Sequence, residues 1–305
     1  MLSKNFFFKN FKLSVNKKKK KKIFKNFKDL ISSKNQILFS LDKNYKNSYS
    51  KNFVKKYYNH KNFRIIGIGG SILGAKAIYK FLEPKLKKFQ FIDNFSSSKN
   101  NKKNVNLIIS KSGNTLETIS NANILIKKKE KNIFITENKK SYLFVLANRL
   151  KAEIISHNNY IGGRYSVLSE VGMLPAHLMG FKPEKFRRLN HLIKNKRFIN
   201  SLINNVSNIL DLNKKRTNSI ILNYDYKSIE FFNWYQQLVA ESLGKKRKGI
   251  HPIISVMPQD NHSLMQYYLD GNQNNFFTLY FFKEKNSKRI NKNIILKSHS
   301  YLKNK

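Results

Sequence analysis

From residue 64 onward, short apolar runs alternate with amphipathic stretches, the pattern of parallel strands covered by helices. Residues 64–68 form a β-rich run ending in glycines, and residues 71–82 carry Leu73, Ala77, Ile78 and Phe81 at helical spacing. This reads as strand, tight turn, helix. A short strand at 89–92 is followed by a buried strand at 105–109, which runs into Ser110 and a helix over 115–128. Strands at 132–136 and 152–155 flank a helix at 141–150, so about five strands form one doubly wound unit. A polar, basic stretch at 182–196, containing Pro183, marks a junction. Beyond it the pattern restarts, with helices over 197–210 and 228–243 and strands at 219–222, 253–257 and 276–282. The expected organisation is a basic N-terminal segment at 1–40, a first α/β domain at 41–185 and a second at 186–305.

Composition narrows the function classes. A chain of 305 residues has room for roughly two domains, and 40% hydrophobic residues with 13% aromatics supply a core. With no cysteine, disulfide frameworks, thiolate metal sites and cysteine nucleophiles are excluded. No run approaches the roughly 18 apolar residues of a membrane span. Residues 1–28 contain no acidic residue and no apolar leader of secretory length, so export is not expected. The unbroken lysine run at 17–22 reads as a disordered basic tail that meets nucleic acid, a membrane surface or nothing, with no partner as the preferred reading. The net charge of +43, from 60 Lys+Arg against 17 Asp+Glu, would favour a polyanion partner if it were focused. Instead Lys, Asn, Ile, Phe and Tyr are abundant in every segment, as a nucleotide-composition bias would produce, and a nucleic-acid-binding reading rests on charge alone.

Five clusters carry candidate chemistry. In Gly67-Ile68-Gly69-Gly70-Ser71-Ile72-Leu73-Gly74, glycines allow close backbone approach to a ligand, or only a structural turn. A dinucleotide reading, with Asp93 on the ribose, fails because Ile72 stands where the fingerprint needs its third glycine. Ser110-Lys111-Ser112-Gly113-Asn114-Thr115, with Glu117 and Thr118 beyond, opens a helix; its crowded hydroxyls, backbone N–H groups and helix dipole suit a phosphate dianion, and helix capping is the alternative. Gly162-Gly163-Arg164-Tyr165-Ser166-Val167 holds one Arg on flexible backbone at the start of an apolar helix, facing a developing anion or serving as a surface charge or carboxylate partner. Gln237 and Glu241 share a helix face, and a carboxylate near a helix C-terminus is disfavoured by the dipole, which suggests a role other than stability; a solvated Glu beside basic residues is the alternative. His262, in Asp260-Asn261-His262-Ser263, is an acid/base candidate or a structural hydrogen-bonder.

Taken in order, the clusters resemble the glucose-6-phosphate isomerase family, whose pattern includes G-I-G-G-S, S-K-[ST]-x-x-T-x-E-T, G-G-R-[FY]-S-V, E-S-x-G-K and D-x-H-S-x-x-Q. The resemblance spans about residues 60–275, and the segments G-G-R-Y-S-V-L-S-E-V-G-M-L-P and Q-L-V-A-E-S-L-G-K carry it most specifically. It implies two sugar-isomerase (SIS) domains, each a parallel sheet layered with helices in the doubly wound, flavodoxin-like manner. It further implies a cytoplasmic enzyme without metal or organic cofactor that interconverts glucose 6-phosphate and fructose 6-phosphate. By position, Glu241 matches the proton-transferring base, Arg164 the cation facing the enediolate and His262 the ring-opening residue. Ser110, Lys111, Ser112 and Thr115 match the phosphate loop, with Gly70, Ser71 and Gln237 as further substrate contacts.

The resemblance also implies a homodimer in which the neighbouring subunit supplies His262, with no specific nucleic-acid partner and no membrane. One departure is visible. The family continues to a C-terminal helix bearing a ring-opening Lys, whereas the tail from Lys283 is patternless, and neither Lys297 nor Lys303 can be assigned that role. A second domain incomplete at its C-terminus is therefore expected. The alternative function is that of a non-catalytic, degraded or truncated SIS protein that binds sugar phosphates.

Overall fold

The computed structural model describes residues 16–33, 35–95, 104–283 and 290–304. The described chain opens with helices α1 (Lys17–Ser32) and α2 (Lys51–Lys55). The next elements are β1 (Asn62–Ile66), α3 (Leu73–Leu82), β2 (Lys88–Ile92), β3 (Val105–Ile109), α4 (Leu116–Leu125), β4 (Lys131–Thr136), α5 (Tyr142–Arg149) and β5 (Glu153–Ser156). Helices α6 (Glu170–Leu178), α7 (Pro183–Phe186) and α8 (Lys196–Leu212) lead to β6 (Asn218–Asn223), α9 (Ile229–Leu243) and β7 (His251–Val256). Short helices α10 (Asp260–Ser263) and α11 (Met265–Asp270) precede β8 (Asn275–Tyr280).

The first sheet is parallel throughout, in the order β2-β1-β3-β4-β5. Its strands are apolar on both faces because helices cover both. Phe63, Ile65, Leu107, Ile109, Ile133 and Ile135 join a core with α3 and α6, while Ile66, Ile108 and Phe134 join one with α4 and α5. Burying a side chain such as Leu107 contributes about 1.5–3 kcal/mol. A polar row crosses the sheet on the second face: Arg64 donates to Gln90 (3.2 Å) and Asn106 (3.4 Å), and Asn106 donates to Asn132 (2.8 Å). Such a row pins register, since a one-residue slip would bury each group without its partner.

Arg64 also donates to the carbonyl of Leu125 at 3.1 Å, where α4 ends and Ile126 turns extended. The helix therefore stops short of the expected residue 128. The polar 182–196 stretch, expected as a junction, is helical, and Arg187 within it is buried, donating to the carbonyls of Ser40 (3.1 Å) and Leu168 (2.6 Å) and to Asn47 (2.8 Å).

A second parallel sheet has the order β7-β6-β8. Helix α9 covers one side, where Phe232 meets Tyr280 edge-on with ring centroids 4.8 Å apart. The opposite face of α9 packs against α3, joining the two layered units. The lysine run at 17–22, expected as a disordered tail, instead begins α1: Asn16 caps it by accepting from the backbone N–H groups of Lys18 and Lys19. Residues 1–15 of the expected basic segment lie outside the described residues, as do 284–289 and 305 of the tail. The rest of the tail forms 3-10 turns at Lys292–Ile294 and Lys297–Asn304.

His157, just past β5, is 3% exposed, with Nδ1 2.9 Å from the carbonyl of Asn158. Burial pushes its pKa below the ordinary histidine value, and burial does the same to His177. Because the folded chain resists protonation that the unfolded chain accepts, stability is fully present above about pH 6.5 and is lost as pH falls below it. Melting temperature should drop between about pH 7.5 and pH 5, and drop less in a His157→Gln variant; equal drops in the two proteins would refute this assignment.

Candidate active site

In the first sheet, β1 has β2 on one side and β3 on the other, so the chain reverses its winding between β1 and β3. Ligands of such sheets bind outside the carboxyl ends of the strands at this switch point. Two of the sequence clusters leave the sheet there: Gly67–Ser71 follows β1, and Ser110–Thr115 follows β3. They lie so close that a Cβ on Gly67 would stand 3.0 Å from the carbonyl oxygen of Ile109.

The hydroxyl loop does not simply cap α4. Thr115 occupies the N-cap position but makes no side-chain cap bond; its Oγ1 lies 2.8 Å from Ser110 Oγ instead. Capping therefore does not account for the hydroxyls, and the first-turn N–H groups of α4 keep their positive partial charge for another acceptor. Gly113 has φ +67°, and a Cβ there would fall 2.1 Å from Ser141 Oγ, so glycine is required for the loop to turn over α5. Ser112 is exposed and accepts from the backbone N–H of Asn114 at 3.2 Å. The Lys111 ammonium donates to the carbonyl of Asn159 and lies 3.8 Å from Glu137.

The third cluster reaches the same place from α6's side. A Cβ on Gly70 would lie 2.2 Å from the carbonyl carbon of Gly163, so the two backbones touch directly. Ser166 Oγ donates to the carbonyl of Gly163 (2.6 Å) and sits 3.3 Å from that of Gly70. Arg164 follows in a 3-10 turn rather than opening an α-helix. Its carbonyl accepts from Trp234 Nε1 at 3.3 Å, and its side chain is 18% exposed.

Helix α9 supplies the fourth cluster. Arg164 Nη1 donates to Glu241 Oε1 at 2.7 Å, and Gln237 Nε2 donates to Glu241 Oε2 at 3.3 Å, so both carboxylate oxygens are held. Gln237 in turn lies against the first loop, its Nε2 only 2.9 Å from where a Cβ on Gly69 would be. The Gln237 Oε1 atom is buried without a hydrogen-bond partner among the described residues. The Glu241 side chain is 52% exposed, so solvent reaches it from the open side of the cluster.

Gly70, Ser71, Arg164, Gln237 and Glu241 thus converge at one mouth of the sheet, with Ser110, Lys111, Ser112 and Thr115 on the neighbouring loop. His262 is not joined to them by any hydrogen bond among the described residues; it is exposed on α10. Beside it, burial opposes ionisation of Asp260, but hydrogen bonds from Ser255 (2.7 Å), Ser263 (2.9 Å) and the Val256 N–H (2.8 Å) outweigh this and hold its carboxyl below the usual range. Asp93, weighed as a ribose ligand, is held by Lys76 at 2.9 Å.

Sequence reasoning missed Ser242. Its Oγ accepts from Arg164 Nε at 2.9 Å and lies 2.8 Å from the Tyr165 hydroxyl. Arg164 Cζ also lies 4.7 Å from the Tyr165 ring centroid, so the guanidinium is fixed in plane and direction. The only signal in the chain was that Ser242 directly follows Glu241.

Two SIS-type layered units with a hydroxyl loop at the switch point define the phosphosugar-isomerase class of fold. Among solved structures, a hypothetical protein of Thermus thermophilus aligns with a TM-score of 0.68 at 21% identity, over 85% of this chain and 69% of its own. A glucose-6-phosphate isomerase from Chlamydia trachomatis aligns with a TM-score of 0.55 at 22% identity, over 72% and 50%. At these identities the likeness shows the fold.

The sequence model of the family described as phosphoglucose isomerase matches residues 12–256, and the chain belongs to that family. It is 35% identical over 246 residues to the glucose-6-phosphate isomerase of Methanocaldococcus jannaschii, covering 73% of this chain and 61% of that protein. It is 32% identical over 272 residues to that of Acholeplasma laidlawii, covering 76% and 63%. The chain therefore spans less than two thirds of the length of these relatives.

Because the atoms nearest a Gly70 side chain are backbone, Gly70→Ala should destabilise the fold by about 3 kcal/mol, the upper end of overpacking costs. Gly163→Ala, whose Cβ would find its nearest neighbour at 3.8 Å, should change stability far less. Urea unfolding of the two variants checks this, and a Gly70→Ala midpoint equal to wild type would show that the loops are not in contact.

Proposed function

We propose that this chain interconverts glucose 6-phosphate and fructose 6-phosphate through a cis-enediol(ate). The observation that carries the reading is the Arg164–Glu241 contact at 2.7 Å, placed beside Gln237 at the mouth of the switch point. In the open-chain aldose, the Glu241 carboxylate takes the proton from C2. The C–H electron pair becomes the C1–C2 double bond, and the carbonyl electrons move onto O1. Arg164 is the cation that faces this charge, and the low exposure of its side chain strengthens the interaction. The hydroxyl proton on O2 passes to O1, Glu241 returns its proton to C1, and C2 becomes the carbonyl of the ketose.

The phosphate end is assigned to Ser110, Lys111, Ser112 and Thr115, with the first turn of α4 contributing N–H groups and dipole. The missing cap bond at Thr115 supports this assignment. Gly70 and Ser71 line the facing loop, and Gln237, which holds Glu241 and lies against Gly69, is assigned to the sugar beside them. His262 is assigned to ring opening across a homodimer interface; its exposure on α10, with no bond to the cluster of its own chain among the described residues, supports its use by a neighbouring subunit. Among the described residues no helix is long and apolar enough to cross a membrane, and a cytoplasmic location goes with this reading.

Formation of glucose 6-phosphate from fructose 6-phosphate by the purified protein tests the proposal. Glu241→Gln should lower the rate by about 10²–10⁴-fold, the contribution of a positioned base, while sugar-phosphate binding persists. A folded, phosphosugar-binding wild type that turns over nothing would sink it. Ser242→Ala should lower kcat by about tenfold with KM nearly unchanged, since it frees the Arg164 guanidinium without touching the phosphate loop.

A further inference from the structure

Two basic segments far apart in the chain meet on one surface. Lys19 and Lys214 both bind Oδ1 of Asp211, at 2.7 and 3.0 Å, so the first turns of α1 lie beside the end of α8. Lys214, Lys215 and Arg216 are exposed there, and Lys17, Lys18, Lys21 and Lys22 are exposed on α1. Among the described residues, the ion pairs of these two segments all end on Asp211. One carboxylate is shared by a surface to which residues 17–22 and 214–216 each bring an unbroken run of cations.

The arrangement is costly to the isolated fold. The first turn of α1 holds no acidic residue, so its lysines face the positive end of the helix dipole and one another. An external polyanion would relieve both repulsions and release its own counterions. The shape of α1 also says which kind of polyanion. Lys19, Ile23 and Phe27 form one stripe at helical spacing, and α1 packs against α8 along this side. Ile23 and Phe27 are half-buried there; the exposed Leu30 and Ile31 stand at the other end of α1, about 15 Å along the helix from the lysines of the first turn, so the lysine surface itself offers a bilayer only the half-buried Phe24, which lies under Lys28.

We propose that this composite face binds a nucleic-acid phosphate backbone without reading its sequence. The partner chemistry is a flexible chain of phosphates long enough to touch both segments at once. The bound polymer lies across the seam between α1 and the end of α8, on a surface formed by residues that take no part in the proposed sugar-phosphate site.

Fluorescence anisotropy of a labelled uridine homopolymer, titrated with the full chain at several salt concentrations, tests this. Substituting Gln at Lys17, Lys18, Lys21 and Lys22 should weaken binding by at least about tenfold and reduce the salt slope by about 3, as expected for four lost phosphate contacts on a single strand. Substituting Gln at Lys214, Lys215 and Arg216 should weaken binding comparably. A charge-matched control on the first unit, with Gln at the exposed Lys127, Lys128, Lys129 and Lys131, should change affinity less than about twofold. Circular dichroism and urea unfolding identify variants that have lost their fold. Equal weakening by the control would mean that binding reflects overall charge and would overturn the proposal. So would an effect confined to the α1 set, or binding to phosphatidylserine vesicles in place of the homopolymer.

Discussion

The site depends on one steric constraint: the backbone of Gly70 and the backbone of Gly163 occupy adjoining space with no room for a side chain between them, a Cβ on Gly70 lying 2.2 Å from Gly163. These glycines come from loops on different elements, one after β1 and one ahead of α6. Their contact carries Arg164 to the edge of the switch point, where the hydroxyl loop also emerges. The same economy of volume operates a residue earlier, where Gly69, at φ +54°, leaves space for the Gln237 amide. Had Gly70 carried a side chain, the Arg164 turn would be held away from the sheet. The glycines therefore act less as flexible hinges than as missing volume.

Glu241 reaches that space from the second unit, so its position is set by how the two units are joined. Helix α9 has 15 residues and spans roughly 20 Å, so a small rotation at its start is magnified at its end. Its start is fixed by Lys76 on α3, which lies 2.9 Å from Asp93 and 3.3 Å from Glu230. Burial disfavours the Lys76 ammonium, but hydrogen bonds and charge from Asp93 and Glu230 outweigh it and hold its pKa above the ordinary lysine range. A partly buried cation with two carboxylates is more directional than the apolar α3–α9 contact around it, and loss of one partner would leave the others poorly compensated. At the far end, Ser242 and Gln237 fix Arg164 and Glu241 relative to one another.

The first unit was legible because its strands are buried on both faces and bounded by glycine, serine or lysine clusters, a pattern that needs no tertiary information. Strands in the second unit were read equally well from β-branched and aromatic runs. What could not be read were effects imposed from outside a segment. Helix α4 stops at Leu125 because Arg64, on a strand 61 residues earlier, takes its carbonyl. The 17–22 run is helical because Asn16 caps it and α8 supports it, although like charges in series argue for disorder. Gly67–Ser71, Ser110–Thr115, Arg164, Gln237 and Glu241 could each be singled out by local chemistry, yet the pairing of Ser242 with Arg164 across 78 residues had no local signature.

Charge and site are connected through the field that substrates meet before they bind. A chain of net charge +43 draws a phosphate dianion from a distance set by the Debye length, about 8 Å at physiological salt. That attraction has little direction at short range, because basic residues are spread along the whole chain. Direction has to come from groups that are held in place: the Ser110 and Thr115 hydroxyls pair with each other at the start of α4, and the Arg164 guanidinium is fixed by Glu241, Ser242 and Tyr165. Lys111 illustrates the difference. Its ammonium is held by the Asn159 carbonyl beside Glu137 rather than swinging free, so it contributes a positioned charge, whereas Lys127, Lys128 and Lys129, exposed beyond the end of α4, contribute to the field alone. Abundant lysine can therefore accumulate on this fold without blurring the site, provided that the groups at the switch point stay tied to backbone and to one another.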